Sequence, residues 1–299
     1  KPSSAASDVY KRQINGLFTG INITSTNGPV TLGDATTPLA TNALTITAGA
    51  GAVTVNNISN VAGISIGSTS NNSVITGTLS NDTASLAYNS GLNAGTLTFS
   101  GNNSSNLPIN IYGGVFKLAS SQFGTGTISV NGTAATLDLN GQSISNPLSL
   151  GSNGYGSLGA LINSNSASPA VASGNIALSL SNNAYIGGVG DITLNGIISG
   201  GLSGYSFQKV GSNKLTLNGV NTFSDGISVT AGTLAMGNAA ALTTGSTSIG
   251  VSAGATLDLQ NISFGASGRI LGLNGTLTAS TGTSAYTGTI NTSASTVFD

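Results

Sequence analysis

The sequence predicts an all-β chain wound as a β-solenoid. Three observations predict it: a composition that disfavours helices, short segments in which apolar and polar residues alternate, and a long-range internal repeat. Gly, Ser, Thr and Asn dominate, with 44 Gly among 299 residues, and all four are poor helix formers. Charged residues make up only 5%, against roughly 25% in ordinary globular chains. Apolar residues still reach 38%, enough for a large interior and too many, with so little charge, for simple disorder.

Taken from the N-terminus, the first segment differs from the rest. Ser3 to Gln13, "SSAASDVYKRQ", matches at all eleven positions the in-frame translation of a transposase-type sequencing-library adapter. Lys1, Lys11 and Arg12 supply three of the chain's 7 Lys and Arg. Residues 1–13 are therefore expected to be non-native and disordered, and are set aside in reasoning about the fold. On that reading the gene is a truncated environmental fragment, and the natural N-terminus, with any signal peptide, lies upstream. Residues 14–299 then form the β-solenoid itself.

From Ile14 onward short alternating segments recur: Leu44-Thr45-Ile46, Val53-Thr54-Val55, Ile64-Ser65-Ile66, Leu97-Thr98-Phe99, Ile192-Thr193-Leu194 and Leu215-Thr216-Leu217. In a strand this alternation sends one set of side chains to one face. Clusters of Gly, Asn and Ser separate the segments, as turns require. Two stretches then repeat. Residues 94–118 align with the stretch beginning at Asn213, pairing Leu97 with Leu215, Gly101 with Gly219, Asn103 with Asn221, Ile109 with Ile227 and Gly114 with Gly232, an offset of about 118. Thr127 to Leu139 aligns with Thr247 to Leu259 at an offset of about 120. The copies thus lie near 94–139 and 213–259. Tandem repeats favour a solenoid over two β-sandwiches, because each coil buries its apolar face only against its neighbours. Coils of ~22 residues would number about 13, with stacked Asn forming amide ladders at the turns.

The stretch "FQKVGSNKLTLNGVNTFSDGISVTAGTLAMGN", Phe207 to Asn238, resembles the passenger-associated β-strand repeat of bacterial autotransporters. Lys209, Gly211, Leu215, Leu217, Gly219, Asn221, Thr222, Phe223, Gly226, Val229, Ala231, Gly232, Thr233, Leu234 and Gly237 fall at matching positions. Asn213-Lys214 replaces the usual Gly-Thr, and Phe223 the common Tyr. Ala94 to Leu118 is a degenerate second copy. The resemblance implies a right-handed parallel β-helix, carried to the cell surface of a Gram-negative bacterium through a C-terminal outer-membrane barrel that these residues do not include. Family passengers include many adhesins, and some bear proteases or esterases on extra domains.

The residues leave little chemistry. Outside the first thirteen, Lys117, Lys209, Lys214 and Arg269 face Asp34, Asp82, Asp138, Asp191, Asp225, Asp258 and Asp299, with no Glu. A glycosidase or lyase needs paired carboxylates or carboxylates with a base. No two Asp are close in sequence. Asp138 and Asp258 recur in the two "TLDL" copies and are expected to be outward-facing strand residues. With His and Cys both 0, no Ser-His triad, thiolate or imidazole metal site can be built. "GGVGDITLN", Gly187 to Asn195, is one defective copy of a calcium-binding repeat and cannot build a stacked site. The expectation is no catalytic, cofactor or metal residue. A net charge of −1 argues against nucleic acid. No apolar run spans a bilayer as a helix. The function expected is a non-catalytic, surface-exposed or secreted stalk or adhesin, binding glycans, cell-surface molecules or other copies of itself. A polysaccharide-binding or -degrading β-helix is the alternative. An ice-binding solenoid, suggested by Thr276 to Thr289, is disfavoured because segments such as "SIG" and "SVN" break its Thr-x-Thr period.

Overall fold

The computed structural model describes residues 21–299 apart from 37–42, 81, 90, 180–181, 202–206, 224–225, 243–247, 265–268 and 294–295. The adapter-like segment and Asp225 lie outside the described residues. Short strands pair in parallel, each with the strand about one coil later, as a β-solenoid requires and a β-sandwich does not. The chain divides into two compact units, Lys1–Leu137 and Asp138–Asp299.

In the first unit each coil lays down up to three strands. One face is built from Ile21–Thr24, Ala43–Thr47, Gly63–Gly67, Leu86–Tyr88 and the start of Ile109–Leu118. A second stacks Val30–Leu32, Val53–Val55, Ser73–Ile75, Thr96–Phe99 and the end of Ile109–Leu118. A third stacks Ala35–Thr36, Ile58–Ser59, Thr78–Ser80 and Asn102–Asn103. Register partners lie between 19 residues apart, Leu97 with Phe116, and 24, Ser73 with Leu97. The register aligns like with like: Leu44, Ile64, Leu86 and Ile109 form one buried column, and Val55, Ile75, Phe99 and Leu118 another. Here Phe99 meets Phe116 at 6.1 Å and Phe123 at 5.1 Å between ring centroids, and Tyr88 meets Phe116 edge-on.

The second unit repeats the plan. Leu161–Asn163, Ala184–Gly188, Phe207–Lys209, Ile227–Val229, Ile249–Val251, Ile270–Leu273 and Thr289–Thr292 form one face. Ala170–Ala172, Ile192–Leu194, Lys214–Leu217, Thr233–Met236, Thr256–Asp258, Thr276–Thr278 and Val297–Phe298 form another. Here the coils run from 19 residues, Leu215 to Leu234, to 28, Leu148 to Ile176. The two units together hold about 11 turns, fewer than the ~13 that a uniform 22-residue coil gives, because coils as long as 28 residues occur and residues 1–20 are outside the description. One amide-to-amide rung of the expected Asn ladder is present, Asn218 Nδ2 donating to Asn195 Oδ1 at 2.8 Å, while Asn238 Nδ2 donates instead to the Asn218 backbone carbonyl at 3.0 Å.

The internal repeat recurs in the register and at the corners of both copies. Leu97 pairs with Phe116, and Leu215 with Leu234. Gly114 and Gly232 take φ of 67° and 64°. A methyl group on either would lie 2.5 Å from a carbonyl oxygen one coil earlier, that of Gly95 or Asn213. Asn103 and Asn221, both buried, donate to the carbonyls of Phe123 and Ala241, each 20 residues on. These corners need glycine for the backbone and asparagine to satisfy inward-facing carbonyls.

Candidate functional site

The carboxylates serve the stacking. Asp138 and Asp258 correct the expectation of outward-facing strand residues: they are 2% and 3% exposed. Register does place Asp258 in line with Ala235, on the face opposite the Leu pair, but the next turn closes over it. Asp138 Oδ1 accepts the N–H groups of Asn140 and Ser164, and Oδ2 the Ser164 hydroxyl at 2.6 Å. Asp258 makes the same set with Gln260 and Ser280, its Oδ2 again 2.6 Å from the hydroxyl. Each carboxylate therefore pins its own turn to the next coil. Asp34 accepts from the backbone and side chain of Asn57 and the side chain of Asn56, which holds its carboxyl below the usual range. Asp82 accepts from Val61 N–H at 2.9 Å, and burial raises its pKa to about 6. Asp191 accepts from Lys214 N–H. Among the described residues no three acidic side chains gather as a metal ion would need.

Of the basic groups, Lys209 is fully buried in the column Ile186, Lys209, Val229, Val251. Its Nζ donates to the carbonyls of Val210 and Gly211 at 2.8 Å and of Ala231 at 3.1 Å. All three ammonium hydrogens are thereby used on the corner. Burial lowers its pKa to about 8, and the Asp191 carboxylate opposes that shift. Arg269 is also buried, donating to the Leu242 carbonyl, and burial lowers its pKa.

One feature escaped sequence reasoning. The 28-residue coil carries a loop, 153–159, that makes a single 3-10 turn at Tyr155–Ser157. Both its feet rest on one residue: Tyr185 N–H donates to the Ser152 carbonyl, and Ala160 N–H donates to the Tyr185 carbonyl. Gly154 has φ 83° and ψ 163°, a conformation essentially reserved for glycine, and a methyl group there would overlap the Gly159 carbonyl. Gly159 N–H closes the neck onto the Asn153 carbonyl, and Ser157 sits at φ 59°. The loop holds Tyr155 and Leu158 outward, 40% and 60% exposed. Beneath it runs an outward column, Tyr185, Gln208, Ser228, Gly250 and Gly272, one residue per coil. The signal was a Tyr bracketed by glycines in "NGYGSLG", where the alternation lapses.

The family model for the passenger-associated-transport-repeat matches residues 92–116 and 207–236, the stretches that hold the Gly114 and Gly232 corners. No curated protein and no solved structure matches the chain significantly. The repeat family implies secretion to the cell surface, and among the described residues no helix is long and apolar enough to cross a membrane. The two matched repeats, both lying in the parallel coils of the β-solenoid, support an autotransporter passenger domain.

Proposed function

We propose that this passenger domain is a non-catalytic stalk or adhesin, displayed outside a Gram-negative outer membrane by the type V route that pairs such passengers with a barrel. It acts by adhesion or by self-association. The observation that carries the reading is the use made of the described ionisable side chains within the chain. Asp34, Asp82, Asp138, Asp191, Asp258 and Lys209 each hydrogen-bond to backbone of their own or a neighbouring coil. Groups committed this way are poorly placed to serve as the acid, base or nucleophile of a polysaccharide-degrading enzyme. A net charge of −1 leaves little repulsion between copies.

Displaying the chain on a non-adherent bacterial host through a heterologous translocator tests this. Cells should settle faster or adhere better to glycan-coated surfaces than cells bearing the translocator alone. Equal settling and equal adhesion would reject the reading. Release of reducing ends from a panel of polysaccharides by the purified chain would instead favour the enzyme.

A further inference from the structure

We propose that the 153–159 loop and the column beneath it form a binding site for a neutral glycan chain, with Tyr155 and Tyr185 as its aromatic contacts. The inference rests on the adhesive reading and names where it acts.

The loop is built rather than loose. Its neck is closed by the Gly159 N–H bond to Asn153, its feet straddle Tyr185, and its first residues are held by Gly154 N–H donating to the buried Ser152 hydroxyl. Gly154 takes a conformation only glycine adopts readily, and Ser157 is held in the left-handed region. It leaves Tyr155 and Leu158 exposed on a loop whose two feet bond to the Tyr185 backbone.

The chemistry of the column selects the occupant. Two tyrosines offer ring faces for the C–H faces of sugar rings, with hydroxyls at their edges. Gln208 brings an amide that both donates and accepts, and Ser228 a hydroxyl. Gly250 and Gly272 then leave a flat floor, with nothing nearer than 3.8 Å to a methyl group placed on either. Successive positions are about 4.8 Å apart, so polar groups recur at close to the length of one sugar ring along an extended chain. No ionised side chain stands in the column, which disfavours acidic polysaccharides. A protein partner would want a broader apolar core than one tyrosine and one leucine at a loop tip.

Titration calorimetry of the intact chain with cellohexaose, maltohexaose and mannohexaose, and with hexagalacturonate as the acidic contrast, tests the site. At least one neutral hexaose should bind. Tyr155→Ala and Tyr185→Ala should each weaken it at least tenfold, while Tyr112→Ala, at an exposed tyrosine of the other unit, should not. If Tyr185→Ala fails to fold, Tyr155→Ala decides, because its ring lies outside the stack. Binding of none of the neutral hexaoses, binding of the acidic one alone, or wild-type affinity in Tyr155→Ala overturns the inference. Displayed cells separate it from the broader reading: undiminished adhesion by Tyr155→Ala rejects this site and leaves the adhesin, whereas no adhesion or clustering by the wild type rejects the adhesin itself.

Discussion

At the scale of single residues, several of the chain's few charges are buried where the coils turn: Asp138, Lys209 and Asp258. Lys209 shows why. A corner in a coil turns backbone carbonyls toward the interior, where an orphaned acceptor costs about 1–3 kcal/mol. One ammonium answers three of them, from Val210, Gly211 and Ala231. Lys209→Met keeps the apolar stem in its column of Ile186, Val229 and Val251 but removes every donor. The expected loss is about 2–4 kcal/mol in urea unfolding, the cost of leaving such acceptors unpaired. A loss below about 1 kcal/mol would mean water already serves these carbonyls. Lys209 was legible from the sequence as a motif position, but its task was not. The same holds for Asp138 and Asp258. Alternation fixes which face of a strand a side chain leaves from, not whether the following turn folds back over it, and in both copies a serine of the next coil does so.

At the scale of elements, the strands and the repeat could be read directly, because a two-residue period and a fixed offset are properties of sequence alone. The corners were readable only as glycine positions. Two glycines of the second unit show that such positions are not equal. Gly232, at φ 64°, has the Asn213 carbonyl oxygen 2.5 Å from where a methyl group would sit, whereas Gly254, at φ 78°, has nothing within 4 Å. Gly254→Ala therefore meets only the left-handed backbone penalty of about 1–2 kcal/mol. Gly232→Ala meets that and a collision, and must push two coils apart. It should lose at least ~1.5 kcal/mol more than Gly254→Ala in parallel unfolding titrations, the order of cost of overpacking. Equal losses would show that the coils separate freely at that corner. The 153–159 loop was not legible, since its shape depends on a neck between Gly154 and Gly159 and on feet set against Tyr185, a residue of the following coil.

At the scale of the whole molecule, the sparse charge makes the dependence of stability on pH unusually simple. There is no His, so no side chain of ordinary pKa titrates between about 6 and 8. Two groups flank that window. Asp82 has its pKa raised by burial from 3.8 to about 6. Between those values the folded chain binds more protons than the unfolded one, so stability falls as pH rises toward 6. Lys209 has its pKa lowered by burial from 10.5 to about 8. There the unfolded chain binds more protons, so stability rises with pH above 8. Melting temperature should accordingly be flat from about pH 6 to 8, higher at pH 4.5 and higher at pH 9.5, a shallow trough where most proteins show a maximum. Asp34, whose carboxyl is held low chiefly by the Asn57 side chain, adds the opposite slope only below its ordinary pKa of 3.8. Each limb has its own control: Asp82→Asn should flatten the acid side and leave the alkaline rise, and Lys209→Met should do the reverse. A melting temperature that peaks between pH 6 and 8 in the wild type would show that these two groups are hydrated in the folded coils, and that the interior is wetter than its packed columns imply.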